Sequence, residues 1–364
     1  MMFDELKLFA KLFLIFTVLI TVFLYLFAIV LGPALFYFTP EGLTASTVNL
    51  LSLTVFFLNI PISVPVGLDL GVIFLAIWSI FTLSFIAAWK FRENFYQTIK
   101  ESVVQPTKKL FSNCLFAMPI LNSMTLIAII AINSFQEAGG IPTGMPPLQG
   151  ESFLDFFDLS YSAVAEEVGF RLIPIGAFLL LYLLITNKKA ATFSLSQKIK
   201  LFFASILFPD NAKRMVGAKT VNEYGFRGGI SLGEWCMVIF SSIVFGLAHF
   251  DPGVSWEIGK VSSAAVAGLV LGLTYLLYGI QASIIMHWFF NVYSDTFFLL
   301  SEIHPAVAPF ANGTVIFSVI LGILGWSAAA ILGFHKLVRG TEKRDENEQN
   351  QATSSPIISP QRDC

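Results

Sequence analysis

The sequence predicts an all-α, polytopic integral membrane protein with about eight transmembrane helices. Of its 364 residues, 55% are apolar and only 13% are charged, whereas a soluble domain carries about 25% charged residues. The mean hydropathy is +0.75. The apolar residues also fall into runs of about 20, the length that crosses a bilayer as a helix. The expected environment is therefore a lipid bilayer.

Eight runs have the length and composition of membrane spans, and the first is too long for a cleavable signal peptide. The stretch 47–66 is a candidate for a ninth span. It contains Pro61 and Pro65, which interrupt helical hydrogen bonding, so we expect an interfacial or re-entrant piece there rather than a span. An N-terminal region, 1–150, has three spans, a second region, 151–336, has five, and the polar segment 337–364 is expected to be a disordered cytoplasmic tail. The eight runs cover roughly 9–38, 68–89, 110–134, 156–186, 233–250, 259–278, 281–301 and 313–336.

The distribution of Lys and Arg predicts the orientation. All but two of the 22 Lys and Arg residues lie near the N-terminus, in segments 90–109 and 187–232, or from Lys336 onward. Basic segments remain in the cytoplasm, so both termini are expected to be cytoplasmic, in the cell membrane. The exceptions are Arg171, within a span, and Lys260, the only basic residue in a loop on the outer side. The outer loops are then 39–67, 135–155, 251–258 and 302–312.

The overall composition excludes other classes of protein. The net charge of -2 indicates no nucleic-acid partner. The three cysteines, Cys114, Cys236 and Cys364, are too scattered for a metal site or a disulfide framework. Because Cys364 is the last residue, it is not a C-a-a-X prenylation site.

Ionisable residues in three of the predicted spans are the candidate functional residues, because a charge at mid-bilayer costs at least ~2.5 kcal/mol. The fourth span contains Glu166, Glu167 and Arg171, the fifth ends with Phe245 and His249, and the seventh contains His287 and Asn291, with Asp295 expected at its rim.

Helical spacing separates the roles of these residues. Glu167 and Arg171 are four residues apart and can form an ion pair. Glu166 lies about 100° around the helix from Glu167, so its carboxylate does not easily share Arg171 and points elsewhere. His287 and Asn291 have the same four-residue spacing, as do Phe245 and His249.

Two kinds of chemistry fit this set. A buried carboxylate can act as a general base with a histidine beside it, while a second histidine and an amide stabilise an oxyanion. Alternatively, Glu166, His249 and His287 form a set of two histidines and one carboxylate that suits catalytic Zn²⁺. The helical zinc signature H-E-x-x-H does not occur.

The segments "EEVGFR" (166–171), "FGLAH" (245–249) and "HWFFN" (287–291) resemble, in this order on separate spans, the motifs of the CPBP family. This family comprises the type II CaaX prenyl proteases and related bacteriocin-processing and immunity membrane proteins. The resemblance covers about 155–336. It implies an intramembrane endopeptidase with its active site between helices, acting on a membrane-associated protein or peptide.

Carried over to this sequence, the resemblance implies that Glu166 is the general base, assisted by His249, and that His287 and Asn291 stabilise the oxyanion. Glu167, Arg171 and Phe245 would be supporting motif residues. Both metal-dependent and glutamate-type mechanisms have been assigned to the family. We favour the metal-free mechanism, with Zn²⁺ as the alternative.

Two rival functions use the same features. A proton- or ion-coupled transporter also needs buried carboxylates, and a catalytically silent immunity or scaffold protein would keep the fold. One feature departs from a CaaX-processing enzyme, whose prenylated substrates lie in the cytosol. The predicted orientation places Glu166 roughly 12–15 Å below the outer face, so we expect the site to open outward or lie mid-membrane.

Overall fold

The structure is a computed structural model that describes residues 2–92, 94–146 and 150–353, and it is mainly helical. Six helices in this part of the chain are long and apolar enough to cross a membrane, and a seventh span results if one pair bent by 78° is counted as a span. The protein is thus an integral, multi-pass membrane protein, and the predicted count of eight spans is not confirmed.

The bundle is built from long helices with shorter helices between them. The α-helices are α1 (Met2–Phe38), α2 (Pro40–Ser46), α3 (Leu70–Lys90), α4 (Phe95–Lys100), α5 (Thr107–Leu110), α6 (Cys114–Ala138), α7 (Ser152–Glu167), α8 (Phe178–Thr186), α9 (Lys188–Ala191), α10 (Leu195–Leu207), α11 (Pro209–Val216), α12 (Val221–Gly229), α13 (Leu232–Leu247), α14 (Ile258–Tyr278), α15 (Ile280–Trp288), α16 (Ser294–Ile303) and α17 (Ala308–Thr353). Two π-helical turns, π1 (Val168–Ala177) and π2 (Phe289–Tyr293), and a 3₁₀ turn (Pro305–Val307) interrupt them.

Helix α15 lies at the centre of the bundle. All nine of its residues are buried, and it packs against α3, α6, α7 and α14. Polar side chains are tolerated in such a helix because neighbouring helices, rather than lipid, surround them. This explains why the predicted seventh span falls outside the candidates selected by length and hydropathy.

Residues 49–69 form a β-hairpin, which the sequence analysis did not predict. Strand β1 (Asn49–Phe57) pairs antiparallel with β2 (Ile60–Asp69). Pro61 and Pro65 lack the N–H that a helix would require at these positions. In an edge strand, proline is tolerated and discourages further pairing. The all-α prediction therefore holds for the bundle but not for this segment, which was expected to be interfacial or re-entrant.

The basic segment between α8 and α13 folds into short helices, and two of its ion pairs join it to neighbouring elements. Lys213 Nζ lies 2.7 Å from Glu234 Oε1, and both side chains are buried. Arg92 lies 3.1 Å from Asp210. Burial raises the pKa of Asp210 and lowers that of Arg92, while their mutual attraction opposes both shifts. These contacts attach the basic segment to the ends of the spans.

The C-terminal end of the described chain differs from the prediction. A disordered tail was expected from residue 337, but the backbone of α17 is helical to Thr353. The stretch is rich in Glu, Lys, Arg and Gln, which have high helix propensity. The last part of the expected tail, 354–364, lies outside the described residues.

Candidate active site

The two glutamates of the fourth span lie where its helix changes geometry. Helix α7 ends at Glu167, and the π-helical turn π1 follows at once with Pro174 inside it. Proline removes an α-helical hydrogen bond, and π turns recur at functional sites because they redirect side chains locally. Both carboxylates still belong to α7, where adjacent positions lie about 100° apart around the helix, so the two side chains enter different surroundings.

Glu167 is fully buried in a network of charges and hydrogen bonds. Arg171 Nη1 lies 3.0 Å from Glu167 Oε1, and the two side chains are 1% and 0% exposed, so the predicted ion pair is present. The Ser283 hydroxyl donates to Oε2 of the same carboxylate. His287 Nδ1 lies 2.7 Å from Oε1, and since an ionised carboxylate only accepts, Nδ1–H is the donor.

Glu166 faces the other edge of the same imidazole. Its Oε2 lies 3.5 Å from His287 Nε2, and its side chain is 19% exposed. This oxygen is buried and makes no hydrogen bond to any described residue. The His287 ring therefore lies between two carboxylates. Glu167 is paired with Arg171, and Glu166 borders a cavity.

His249 lies at the end of α13, where Phe245 orients it. Its Nδ1 is 2.8 Å from the Phe245 carbonyl oxygen, which accepts only, so Nδ1 carries the proton and Nε2 keeps its lone pair. The Phe245 ring also packs against His249 and His287, at 4.7 and 6.0 Å between ring centroids. The Arg171 guanidinium lies 4.3 Å from the same ring centroid.

Asn291 lies in the second π-helical turn, directly after α15. Its Nδ2 donates to Ser162 Oγ at 2.9 Å. Ser162 precedes Glu166 by four residues on α7, so this bond ties the helix of Glu166 to that of His287. It also fixes which way the Asn291 amide faces.

Two adjoining cavities of about 370 Å³ each collect these side chains. Glu166 lines one and His287 lines the other, while His249 and Asn291 line both. A further cavity of about 520 Å³ contains none of the motif residues. We place the site in the adjoining pair because several polar groups converge there. The structure thus brings the four predicted catalytic residues to one place.

Comparison with known proteins agrees with this arrangement. Residues 153–293 match the family model described as type II CAAX prenyl endopeptidase Rce1-like. The chain contains an Rce1-like domain. No curated protein and no solved structure matches the chain. The matched residues include all three motifs, so the Rce1-like domain carries every candidate catalytic residue.

The β-hairpin lies outside the residues matched to the family and forms a wall of the site in the Rce1-like domain. Phe56 and Asn59 line the cavity that contains Glu166. At the tip, Leu58 N–H donates to the Gly169 carbonyl at 3.2 Å. The N-terminal region therefore completes a site whose chemistry belongs to the Rce1-like domain.

We expect Gly169→Ala to reduce activity strongly, because a Cβ there would lie 2.5 Å from the Phe56 carbonyl oxygen. The hairpin or the π-helical turn beside Glu166 must then move. Gly313→Ala is the matched control, since a Cβ at Gly313 has no neighbour within 4 Å. Peptide cleavage by the two purified variants is the measurement. Equal activity would show that the hairpin contact does not position the site.

Several residues of the site were missed by the sequence analysis. Ser162 and Ser283 each precede a motif residue by four positions, so continuing the helical spacing backwards would have found them. Trp256 and Lys260 line both cavities. The signal for Lys260 was its isolation as the only Lys or Arg that the sequence analysis placed near the outer face. Asp295, expected at the rim, lines the cavity that contains His287.

Proposed function

We propose that the protein is an intramembrane endopeptidase that hydrolyses a peptide bond of a membrane-associated protein or peptide. The match of residues 153–293 to a type II CAAX prenyl endopeptidase family supports a CAAX-type membrane protease. The observation that carries the proposal is Glu166, whose buried Oε2 lacks a hydrogen bond to the described residues while it borders a cavity with His249 and Asn291. A carboxylate in such a place is suited to hold and deprotonate water.

In the proposed reaction, Glu166 takes a proton from water, and the water oxygen bonds to the carbonyl carbon of the scissile peptide. His249, with its Nε2 lone pair, accepts the second hydrogen bond of that water. The tetrahedral intermediate collapses as its C–N bond breaks, and Glu166 returns the proton to the leaving amine. Protons and electrons balance without another reactant.

The negative charge that forms on the carbonyl oxygen needs donors. We assign these roles to His287 and Asn291, which both line the cavity. His287 donates through Nε2, which requires a proton there in addition to the Nδ1 proton held by Glu167. Asn291 donates the second N–H of its amide, because the first is held by Ser162. Glu167 and Arg171 act through His287 and do not touch the substrate. Donors fixed before the reaction stabilise the transition state more than mobile ones do.

We propose a metal-free mechanism. Within the described ranges, no group of three His, Cys, Asp or Glu side chains is arranged to hold a metal ion. The contacts of His287 give the chemical reason, since its two ring nitrogens face the carboxylates of Glu167 and Glu166. A zinc ion bound by Glu166, His249 and His287 would remove the base and one oxyanion donor from these roles.

We therefore expect the purified enzyme to contain substoichiometric zinc and to keep its activity after exhaustive chelation. Elemental analysis and peptide cleavage before and after chelation are the measurements. Stoichiometric zinc, with activity lost on chelation and restored by the metal, would support the zinc alternative. The family assignment would not change in that case.

We also propose that the protein lies in the cell membrane with both termini in the cytoplasm and the site open to the outside. Support comes from the cavity lining: Asn59, Pro146 and Trp256 belong to loops that the distribution of Lys and Arg places outside. Substrates would then reach Glu166 from the outer leaflet.

Single cysteines test this orientation in a background with Cys236 and Cys364 replaced by serine. Cysteines at Gly139 and Val254 should react with an impermeant thiol reagent added to intact cells, and one at Asn211 should not. All three positions are exposed, so burial does not explain a difference. Labelling at Asn211 instead would reverse the orientation and return the site to the cytosolic side.

The direct test of function is cleavage of a panel of membrane-tethered peptides by purified protein, with Glu166→Gln as the control. Cleavage that depends on Glu166 supports the proposal. If folded protein cleaves no member of the panel, a silent scaffold is favoured. If ion or proton flux depends on Glu166, a transporter is favoured.

A further inference from the structure

Lys260 is the single Lys or Arg among the described residues that line the two adjoining cavities. It is the third residue of α14 and lines both spaces together with His249 and Asn291. The proposed mechanism does not use it. A cation within reach of the reacting groups therefore needs another explanation.

Its position is unfavourable for the helix and for the ammonium group. The N-terminal turn of a helix favours negative charge, so a lysine there does not stabilise α14. The side chain is half-buried, yet no described carboxylate forms an ion pair with it at 4.0 Å or less. Its Nζ lies over the Trp256 ring, 3.8 Å from the ring centroid. This cation–π contact holds the ammonium in place and leaves its three N–H donors for a ligand.

Several carboxylates line the cavities and make them acidic. Glu166, Asp155 and Asp158 line the first space, and Asp295 lines the second. In this acidic environment, the Lys260 ammonium is a favourable place for an anionic group of the substrate. A peptide that carries a carboxylate would consequently bind in one direction, with that carboxylate at Lys260 and the rest of the peptide extending away from it.

We propose that Lys260, held on Trp256, is a carboxylate-binding subsite that selects and orients the substrate. The ligand is a carboxylate of the peptide, either at its free C-terminus or on an acidic side chain near that end. This inference rests on the proposed endopeptidase function and adds a substrate feature to it. Lys260 is then a binding and specificity residue and takes no part in proton transfer.

Three lipid-anchored, fluorescence-quenched peptides that differ only at the C-terminal end test the proposal. One has a free C-terminal carboxylate, the second is amidated, and the third is amidated with a terminal glutamate side chain. The wild-type protein should prefer the free acid to the amide by about 10- to 100-fold in KM, with similar kcat, as expected for a charge-assisted hydrogen bond. The third peptide shows whether a side-chain carboxylate replaces the C-terminal one.

Lys260→Gln should abolish this preference by raising KM for the carboxylate peptides to the value for the amide, and Lys260→Arg should retain it. Lys219→Gln is the matched control, because Lys219 also lies over an aromatic ring, that of Tyr224, at 5.6 Å and outside the cavities. Equal KM values for all peptides in the wild type would overturn the proposal. Amide cleavage that depends on Glu166 would leave the protease function standing.

Peptide binding measured without turnover tests the carboxylate subsite separately from the proposed endopeptidase activity. The Glu166→Gln variant should bind the free-acid peptide about 10- to 100-fold more tightly than the amide, and adding Lys260→Gln should remove that difference. This result would support the subsite even if no peptide in the panel were cleaved. Equal affinity for the two peptides would refute it.

Discussion

Glu166→Gln should lower the rate of peptide cleavage by at least about 10²–10⁴-fold, the usual contribution of a general base. Glutamine has nearly the same shape but takes up no proton from water. The variant should still fold, because Oε2 of Glu166 makes no hydrogen bond to a described residue. Removing a charge from this site should leave the melting temperature unchanged or raise it, as is common where function and stability conflict.

Cleavage of a membrane-tethered peptide and thermal unfolding of the same preparation are the two measurements. Glu223→Gln is a matched control on the surface, where Glu223 is half exposed and lies 3.6 Å from Arg214. It should affect neither quantity beyond small surface effects. A Glu166→Gln enzyme that works at the full rate would remove Glu166 from the mechanism. A large loss of stability would assign it a structural role instead.

Glu167→Gln should destabilise the protein by about 3–5 kcal/mol and also abolish most activity. Glu167 and Arg171 are 0% and 1% exposed, so the substitution leaves a buried guanidinium without its counter-ion. Activity falls for a second reason, because His287 Nδ1 loses the carboxylate that orients it. Thermal unfolding and peptide cleavage are again the measurements.

The double variant Glu167→Gln/Arg171→Met separates these two causes. Removing the unpaired Arg171 charge should recover much of the stability lost in Glu167→Gln. Activity should stay low, because His287 still lacks the carboxylate that orients it. Breaking the exposed pair between Arg214 and Glu223 is the comparison, and it should cost at most about 1 kcal/mol. If Glu167→Gln melted like the wild type, the buried ion pair would not be a structural brace.

The spans and the ion pair were predictable because each depends on short-range pattern. Apolar runs of about 20 residues specify α1, α3, α6 and α14 directly. The four-residue spacing of Glu167 and Arg171 specifies their ion pair, although π1 begins immediately after Glu167. In both cases the signal lies within a few helical turns of one segment.

The hairpin and the burial of α15 were not predictable in this way. Residues 49–69 are apolar enough to resemble a membrane segment, and pairing between β1 and β2, with the contact of Leu58 to Gly169, decides their structure. Helix α15 resembles a weak span because its polar residues lower its hydropathy. Hydrogen bonds to neighbouring helices stabilise these polar residues. A single sequence does not show which helices become neighbours.

The sequence by itself determined the membrane class, the main spans and the four residues predicted to carry the chemistry, because composition and helical period are local properties. Only the tertiary structure decided which of these residues contact one another. His287 contacts both Glu167 and Glu166, whereas the expected partner of Glu166 was His249, and Lys260 joins the cavity from another helix. The contacts of His287 with the two glutamates join residues about 120 positions apart, so they depend on how the helices pack, which spacing along one helix does not encode.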